Sequence, residues 1–149
     1  MLPFLSGLRA VEIANTIAPA YAGRLLADLG AEVIALEPPG GNRLRQHPRL
    51  APNLADFLAT NKRSATLDFD ALDEPFARAL CERADLLLVD GSVPFVTQRL
   101  LHARLYEETD VVLTVVTPWG LESPYAALCD DELLAFALSG IASVTPEEA

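Results

Sequence analysis

The sequence has little lysine, little cysteine and no long apolar segment. Its 149 residues carry 11 basic side chains, of which only Lys62 is a lysine, against 21 acidic ones, for a formal charge of -10. This acidic balance argues against a nucleic-acid-binding protein, because binding to a phosphate backbone depends on a positive surface. Two cysteines, Cys81 and Cys129, are too few for a disulfide framework. Cys81 falls among apolar neighbours in a predicted helix, which favours a buried, unreactive thiol.

Other absences bear on location and on metal binding. No apolar run approaches the roughly 18–20 residues of a membrane-spanning helix, and the first residues lack the basic start and cleavage pattern of a signal peptide. We therefore expect a cytoplasmic protein with no membrane partner. The two histidines, His47 and His102, have no second ligand at the spacing that metal sites use, so no metal site is predicted.

The order of apolar and polar segments is typical of an α/β domain. Residues 8–14 and 32–36 have the composition of strands, and residues 18–29 between them place apolar side chains at helical spacing. A parallel connection of this length forms a right-handed crossover, which puts both strands in one sheet covered by helices. Further strands are predicted at 64–69, 85–89 and 110–116, and further helices at 75–84, 95–105 and 131–138. The sequence therefore predicts one Rossmann-like α/β domain over residues 1–149, a parallel sheet with helices on both faces.

Basic residues are concentrated in one stretch of this acidic chain. Between Pro38 and Leu67, five basic residues stand against the single acid Asp56, for a local charge of +4. The five are Arg43, Arg45, Arg49, Lys62 and Arg63. The loop that carries the first three follows the strand at 32–36 and so leaves the carboxyl end of the sheet, where open α/β sheets bind their ligands. This placement suits a small phosphate-bearing ligand, and a solvated arginine-rich loop is the alternative.

Standard nucleotide-binding loops are missing from the sequence. The turn after the first strand, residues 14–20, contains no G-x-G-x-x-G, and no G-x-x-x-x-G-K-[ST] occurs elsewhere. Three carboxylates, Asp130, Asp131 and Glu132, stand at the start of the last predicted helix. They allow two interpretations: acids that complement the helix dipole, which the local sequence favours, or a carboxylate nucleophile.

Four motifs, in order along the chain, resemble the family III CoA-transferases, the CaiB/BaiF group that includes formyl-CoA transferase. The first is Leu5-Ser6-Gly7-Leu8-Arg9, and the second joins the segment from Arg24 to Ile34 with Glu37-Pro38-Pro39-Gly40-Gly41. The third is Asn61-Lys62-Arg63-Ser64 followed by Leu67-Asp68, and the last comprises Trp119-Gly120, Ser123-Pro124-Tyr125 and Ala137-Leu138-Ser139-Gly140. Each motif is weak alone, but the four together cover nearly the whole chain.

The resemblance implies a reaction and a nucleophile. Coenzyme A and its acyl thioesters would be substrates, with no permanently bound cofactor, and the CoA would pass from an acyl-CoA to a small carboxylic acid. In this family an aspartate attacks the thioester, and the anhydride that forms is converted to an enzyme-bound thioester. The position of that aspartate falls on Glu132, which is one methylene longer. A shift of one residue offers Asp131 instead.

The resemblance also implies which residues contact CoA. These are Ile17, Ala18, Arg43, Arg45, Asn61, Lys62 and Arg63. Guanidinium and ammonium groups suit the nucleotide phosphates, and the amide of Asn61 offers both a donor and an acceptor. For Lys62 and Arg63, a solvated entry to a strand is the alternative.

Two other functions stay open beside the transferase. The glutamate at position 132 favours a non-catalytic CoA-binding or structural subunit, and a fragment with no activity of its own is the other alternative. Chains of this family are much longer and form interlocked dimers. The resemblance therefore implies a partial family member, assembled as a homodimer or as a heteromer with a longer transferase chain.

Overall fold

The structure, a computed structural model, describes residues 3–46, 53–69, 74–93, 105–126, 128 and 132–144. The chain divides into two compact units, Met1–Val116 and Thr117–Ala149, and each is described by itself. A single domain over residues 1–149 stays a prediction.

A five-stranded parallel sheet forms the centre of the first unit. Its strands are β1 (Arg9–Ile13), β2 (Glu32–Glu37), β3 (Arg63–Thr66), β4 (Leu86–Asp90) and β5 (Val112–Val116). Their order across the sheet is β3-β2-β1-β4-β5, and all four pairings are parallel. The chain therefore builds outward from β1 in one direction and from β4 in the other. The place where these directions part, between β1 and β4, is the switch point at which open α/β sheets bind ligands.

Helices cover both faces of this sheet. They are α1 (Ile17–Asp28), α2 (Asn53–Ala59) and α3 (Glu74–Arg83), and a 3-10 helix at Leu105–Glu108 precedes β5. The alternation of side chains along β1 shows which helix covers which face. Ala10 of β1 packs with Ala27 of α1, whereas Val11 and Ile13 pack with Ala77 of α3. The prediction of a Rossmann-like parallel sheet with helices on both faces is confirmed.

Individual elements depart from the predicted boundaries. Strand β3 is shorter than the predicted 64–69, and α2 lies in a stretch for which no helix was predicted. The predicted helix at 95–105 lies outside the described residues except for Leu105, which begins the 3-10 helix. Cys81 is buried in α3 as expected, and burial raises the pKa of its thiol.

The second unit contains two short helices, α4 (Glu132–Leu138) and α5 (Ile141–Val144). Gly140 has a φ of +79° between them, a left-handed conformation that lets the chain turn where α4 ends. Helix α4 agrees with the helix predicted at 131–138. Among the described residues of both units, no helix combines the length and apolar character needed to cross a membrane.

A buried ion pair lies between the sheet and α1. Lys62 Nζ is 2.6 Å from Glu12 Oε2 and donates a second hydrogen bond of 2.7 Å to the carbonyl oxygen of Ala20 in α1. Both charged side chains are only 3% exposed. Gly23 of α1 faces this pair, and a Cβ there would overlap Glu12 Oε2 and lie 3.2 Å from Lys62 Nζ. The glycine therefore leaves the space that the ion pair occupies.

We predict that Gly23→Ala destabilises the protein, although alanine is the better helix former by about 1 kcal/mol. The added methyl group must displace the Glu12 carboxylate, so the free energy of unfolding should fall by about 1–3 kcal/mol in a urea titration. Glu12→Asp shortens that carboxylate by one methylene, so Gly23→Ala should cost less stability in a Glu12→Asp background. A higher stability of Gly23→Ala in the wild-type background would contradict the prediction.

Candidate functional site

The carboxyl edge of the sheet is built around two buried carboxylates. Glu37 is the last residue of β2 and Asp90 the last residue of β4, and they are 4% and 2% exposed. Buried carboxylates require hydrogen-bond donors, because isolated charges are costly to remove from water. Each of them is bonded to the loop that crosses this edge beside it.

Asp90 organises the switch point between β1 and β4. Its Oδ2 accepts hydrogen bonds from the backbone N–H groups of Asn15 and Thr16, at 3.0 and 2.8 Å, and from Thr16 Oγ1 at 2.7 Å. Its Oδ1 accepts from the backbone N–H of Ser92 at 2.8 Å. Burial alone would raise the pKa of Asp90, but the hydrogen bonds from Ser92, Thr16 and Asn15 outweigh it and hold the pKa below its ordinary value. The turn between β1 and α1 is therefore attached to the end of β4.

Helix α1 begins directly after this turn. Thr16 precedes the helix but makes no side-chain cap to it, since its hydroxyl is bonded to Asp90. The predicted CoA contacts Ile17 and Ala18 form the start of α1 and are both exposed, and the first turn contains no acid. Backbone N–H groups at a helix start have no partner inside the helix and carry the positive end of its dipole. This exposed start can receive an anionic ligand.

Glu37 organises the loop that follows β2. Arg45 donates two hydrogen bonds to it, Nε to Oε2 at 2.6 Å and Nη2 to Oε1 at 2.7 Å. Ser64 Oγ on β3 donates a third, at 3.1 Å, and the backbone N–H of Asn42 a fourth, at 3.3 Å. The hydrogen bonds from Arg45 lower the pKa of Glu37 more than burial raises it. Arg45 is therefore bound within the protein by a bidentate ion pair.

Arg43 differs from Arg45 although both lie on this loop. Its side chain is exposed, and within the described part of the chain it makes no hydrogen bond or ion pair. Between the two arginines, Leu44 is buried in a cluster with Ala14 and Ala20, at the start of α1. This contact holds the loop against the β1–α1 turn. Arg49, the third arginine of the predicted cationic loop, lies outside the described residues.

The predicted contacts Asn61, Lys62 and Arg63 bind other parts of the protein. Asn61 Nδ2 donates to Asp28 Oδ1 at 2.8 Å, and Lys62 forms the buried pair described above. Arg63 Nη1 lies 2.6 Å from Glu32 Oε1, at the amino end of β2. The structure therefore gathers Ile17, Ala18, Arg43 and Arg45 near one edge and does not bring Arg63 to it. The contact of all seven residues with CoA stays a prediction.

The predicted nucleophile belongs to the second unit. Glu132 is the first residue of α4, while the alternative nucleophile Asp131 lies outside the described residues, as does Asp130. The catalytic role of Glu132 stays a prediction. Among the residues that the structure describes, no group of three or more His, Cys, Asp or Glu side chains is arranged to hold a metal ion.

Three carboxylates are buried among the described residues, Glu12, Glu37 and Asp90, and none of them was predicted from the sequence to have a role. A signal was present, since Glu37 and Asp90 each end an apolar run that forms a central part of the sheet. An acid at the carboxyl end of a buried parallel strand indicates a residue that organises this edge. Glu12 stands inside an apolar strand, and only its partner Lys62, 50 residues away, explains it.

The parallel sheet and its strand order define a Rossmann-like α/β fold. The family model described as CoA-transferase family III matches residues 5–149 of the chain. The chain belongs to CoA-transferase family III, the CaiB/BaiF group, as the sequence motifs indicated.

Comparison with individual proteins agrees with this assignment. The chain is 30% identical over 165 residues to a succinate–glutarate CoA-transferase of Agrobacterium fabrum, a match that covers 97% of this chain and 40% of that protein. It is 34% identical over 150 residues to the succinyl-CoA:(R)-benzylsuccinate CoA-transferase subunit BbsE of Thauera aromatica, covering 91% of this chain and 35% of that subunit. The crystal structure of Rv3272 from Mycobacterium tuberculosis superposes with a TM-score of 0.81 at 26% identity, covering 96% of this chain and 41% of that one. The chain thus spans about 40% of the length of such relatives.

We predict that Asp90→Asn reduces the acid sensitivity of the protein. The folded pKa of Asp90 lies below the unfolded value, so its contribution to stability is complete above a pH of about 4 and is lost as the pH falls through the folded pKa. Asp90→Asn should lower the free energy of unfolding by about 2 kcal/mol at neutral pH. Its stability should then decline less steeply than that of the wild type as the pH is lowered.

Urea titrations at a series of acidic pH values measure this difference. Asp110→Asn is the matched control, because Asp110 is an exposed aspartate that precedes β5 at the other edge of the sheet. Stability curves of Asp90→Asn and wild type that stay parallel down to low pH would show that Asp90 is not held ionised by the turn.

Proposed function

We propose that this chain binds coenzyme A at the carboxyl edge of its sheet and forms the Rossmann-like part of a CoA-transferase acting between an acyl-CoA and a small carboxylic acid. The observation that carries the proposal is Arg43, whose exposed side chain makes no hydrogen bond or ion pair within the described part of the chain, on a loop at this edge. Membership of CoA-transferase family III supports CoA as the ligand.

Arg43 and Arg45 have different roles in the loop. Arg45 forms an ion pair with Glu37 and so fixes the shape of the loop, whereas the side chain of Arg43 makes no ion pair within the described residues and is available to a ligand. Leu44, the residue after Arg43, lies in a buried cluster with Ala14 before the β1–α1 turn and Ala20 in the first turn of α1. A guanidinium group binds phosphate through paired hydrogen bonds, and the helix start adds backbone donors and a positive dipole end. We expect the phosphates of CoA at Arg43 and the start of α1.

A carboxylate suits this reaction as the nucleophile, because each step converts one acyl derivative, a thioester or an anhydride, into another of similar energy. A carboxylate oxygen of Glu132 attacks the carbonyl carbon of the acyl-CoA, the C–S bond breaks, and CoA thiolate leaves a mixed anhydride on the protein. The thiolate then attacks the Glu132 carbonyl, which forms an enzyme-bound thioester and releases the first acid as carboxylate. The acceptor carboxylate attacks the carbonyl carbon of this thioester, the C–S bond breaks, and a second mixed anhydride forms as CoA thiolate leaves. The thiolate then attacks the acceptor's carbonyl carbon in this anhydride, which yields the new acyl-CoA and releases the Glu132 carboxylate.

One observation favours a second function, a non-catalytic CoA-binding subunit. The resemblance puts Glu132 at the position of the family's aspartate, and a nucleophile moved by about 1 Å can lose on the order of 100-fold in rate. Such a subunit would bind CoA at the same edge and rely on a longer, active transferase chain for the reaction.

We predict that Arg43→Ala weakens binding of CoA about tenfold, because a charge-assisted hydrogen bond to phosphate is lost. Binding of pantetheine, which lacks the phosphates, should not change. Isothermal titration calorimetry measures both affinities. Arg83→Ala is the matched control. Arg83 is also an exposed arginine, but it ends α3 just before β4 begins and so lies at the opposite, amino end of the sheet. Equal CoA affinities of Arg43→Ala and wild type would remove Arg43 from the site.

We predict that incubation with succinyl-CoA adds mass covalently to this chain and that hydroxylamine removes it, because both the anhydride and the thioester react with that nucleophile. Intact-mass and peptide mass spectrometry locate the adduct. Glu132→Gln should abolish it and Asp131→Asn should retain it. The reverse pattern would make Asp131 the nucleophile. CoA binding without an adduct in any of these proteins would favour the non-catalytic subunit.

A further inference from the structure

Three consecutive side chains bind α1 and the two strands that precede and follow it in the chain, β1 and β2. Asn61 reaches the last residue of the helix, Asp28, which also accepts a 2.7 Å hydrogen bond from Arg24 Nε. Lys62 reaches Glu12 on β1 and the carbonyl oxygen of Ala20 in α1. Arg63 reaches Glu32, the first residue of β2. The segment 61–63 thus contacts α1 towards both its ends and the strand that follows the helix.

Burial makes the middle contact the most demanding of the three. The side chains of Lys62 and Glu12 are each 3% exposed, while that of Arg63 is 76% exposed. An ammonium group placed out of water must keep its partners, because an uncompensated buried charge is strongly unfavourable. Lys62 Nζ bonds both Glu12 on β1 and the carbonyl oxygen of Ala20 in α1, so both hydrogen bonds form only when α1 and β1 keep their present separation. A buried ion pair of this kind favours a single arrangement of the elements around it.

The arrangement that it favours includes the start of α1. Ala20 lies three residues after Ile17, within the first turn of the helix. A shift of that turn along or away from the sheet would break the hydrogen bond from Lys62 Nζ to Ala20. Gly23, one turn further on, admits the pair without pushing the helix outward. The residue before the helix, Thr16, is bonded to Asp90 at the end of β4. Two buried charged groups, Lys62 and Asp90, therefore fix the position of the helix start.

We infer that Lys62 is a positioning residue for the first turn of α1, assisted by Asn61 at the other end of the helix, and that it does not itself contact the phosphates of CoA. The link to CoA rests on the function proposed above. The position of α1 does not, and it is measurable in the free protein.

Hydrogen exchange and calorimetry on the full chain test this role. The variants are Lys62→Met, Glu12→Gln, and the double variant Glu12→Gln/Lys62→Met, which buries no charge and so keeps the fold if Lys62→Met alone does not. Exchange of backbone amides in the first two turns of α1 should accelerate on the order of tenfold in Lys62→Met, and amides of β4 should keep their protection. Asn61→Ala should accelerate exchange only near the end of α1.

Calorimetry with CoA distinguishes positioning from contact. A positioning role predicts that Glu12→Gln and Lys62→Met each weaken CoA binding, and that their effects in the double variant are far from additive. A phosphate contact predicts a loss in Lys62→Met, little change in Glu12→Gln, and unchanged exchange in α1. That result would overturn the inference. Wild-type protein that binds no CoA would refute the proposed function, and the exchange of α1 would still decide whether Lys62 positions the helix.

Discussion

The ion pair between Glu12 and Lys62 is a constraint that the sheet and α1 must satisfy together. Both charges lie out of water, so the distance between β1, the start of β3 and the first turn of α1 is set by two hydrogen bonds from one ammonium group. Gly23 is the local consequence in the sequence, because the helix has no room for a side chain there. A contact between residues far apart in sequence therefore determines the residue type inside a helix.

At the carboxyl edge of the sheet, buried charged groups are likewise paired within the protein. Its acids, Glu37 and Asp90, bind Arg45 and the β1–α1 turn, and in the described part of the loop the Arg43 side chain stays exposed beside this pair. An exposed arginine and a helix start at one edge favour an anion there although the chain as a whole carries a charge of -10. Local arrangement, not net charge, decides which ligand the edge can bind.

The α/β fold could be predicted from the sequence because strand and helix periods are local properties. The sheet, α1, α3 and α4 all followed from that pattern, and the family followed from four motifs. Helix α2 was missed because it lies directly after a loop rich in arginine and proline, which suggested irregular structure. The contacts of the charged residues at the carboxyl edge could not be predicted from the sequence. Whether an arginine side chain is exposed or paired with a buried glutamate depends on contacts across the fold, and Arg43 and Arg45, two positions apart, differ in this respect.

The burial of Lys62 also affects how the folded state can be observed. These 149 residues contain one lysine, and its side chain is 3% exposed. A reagent that acylates lysine amines reaches it when the structure around the ion pair opens or the chain unfolds. The ion pair thus gives the protein a single internal reporter whose rate of modification follows the opening of this region, with no label or added chromophore.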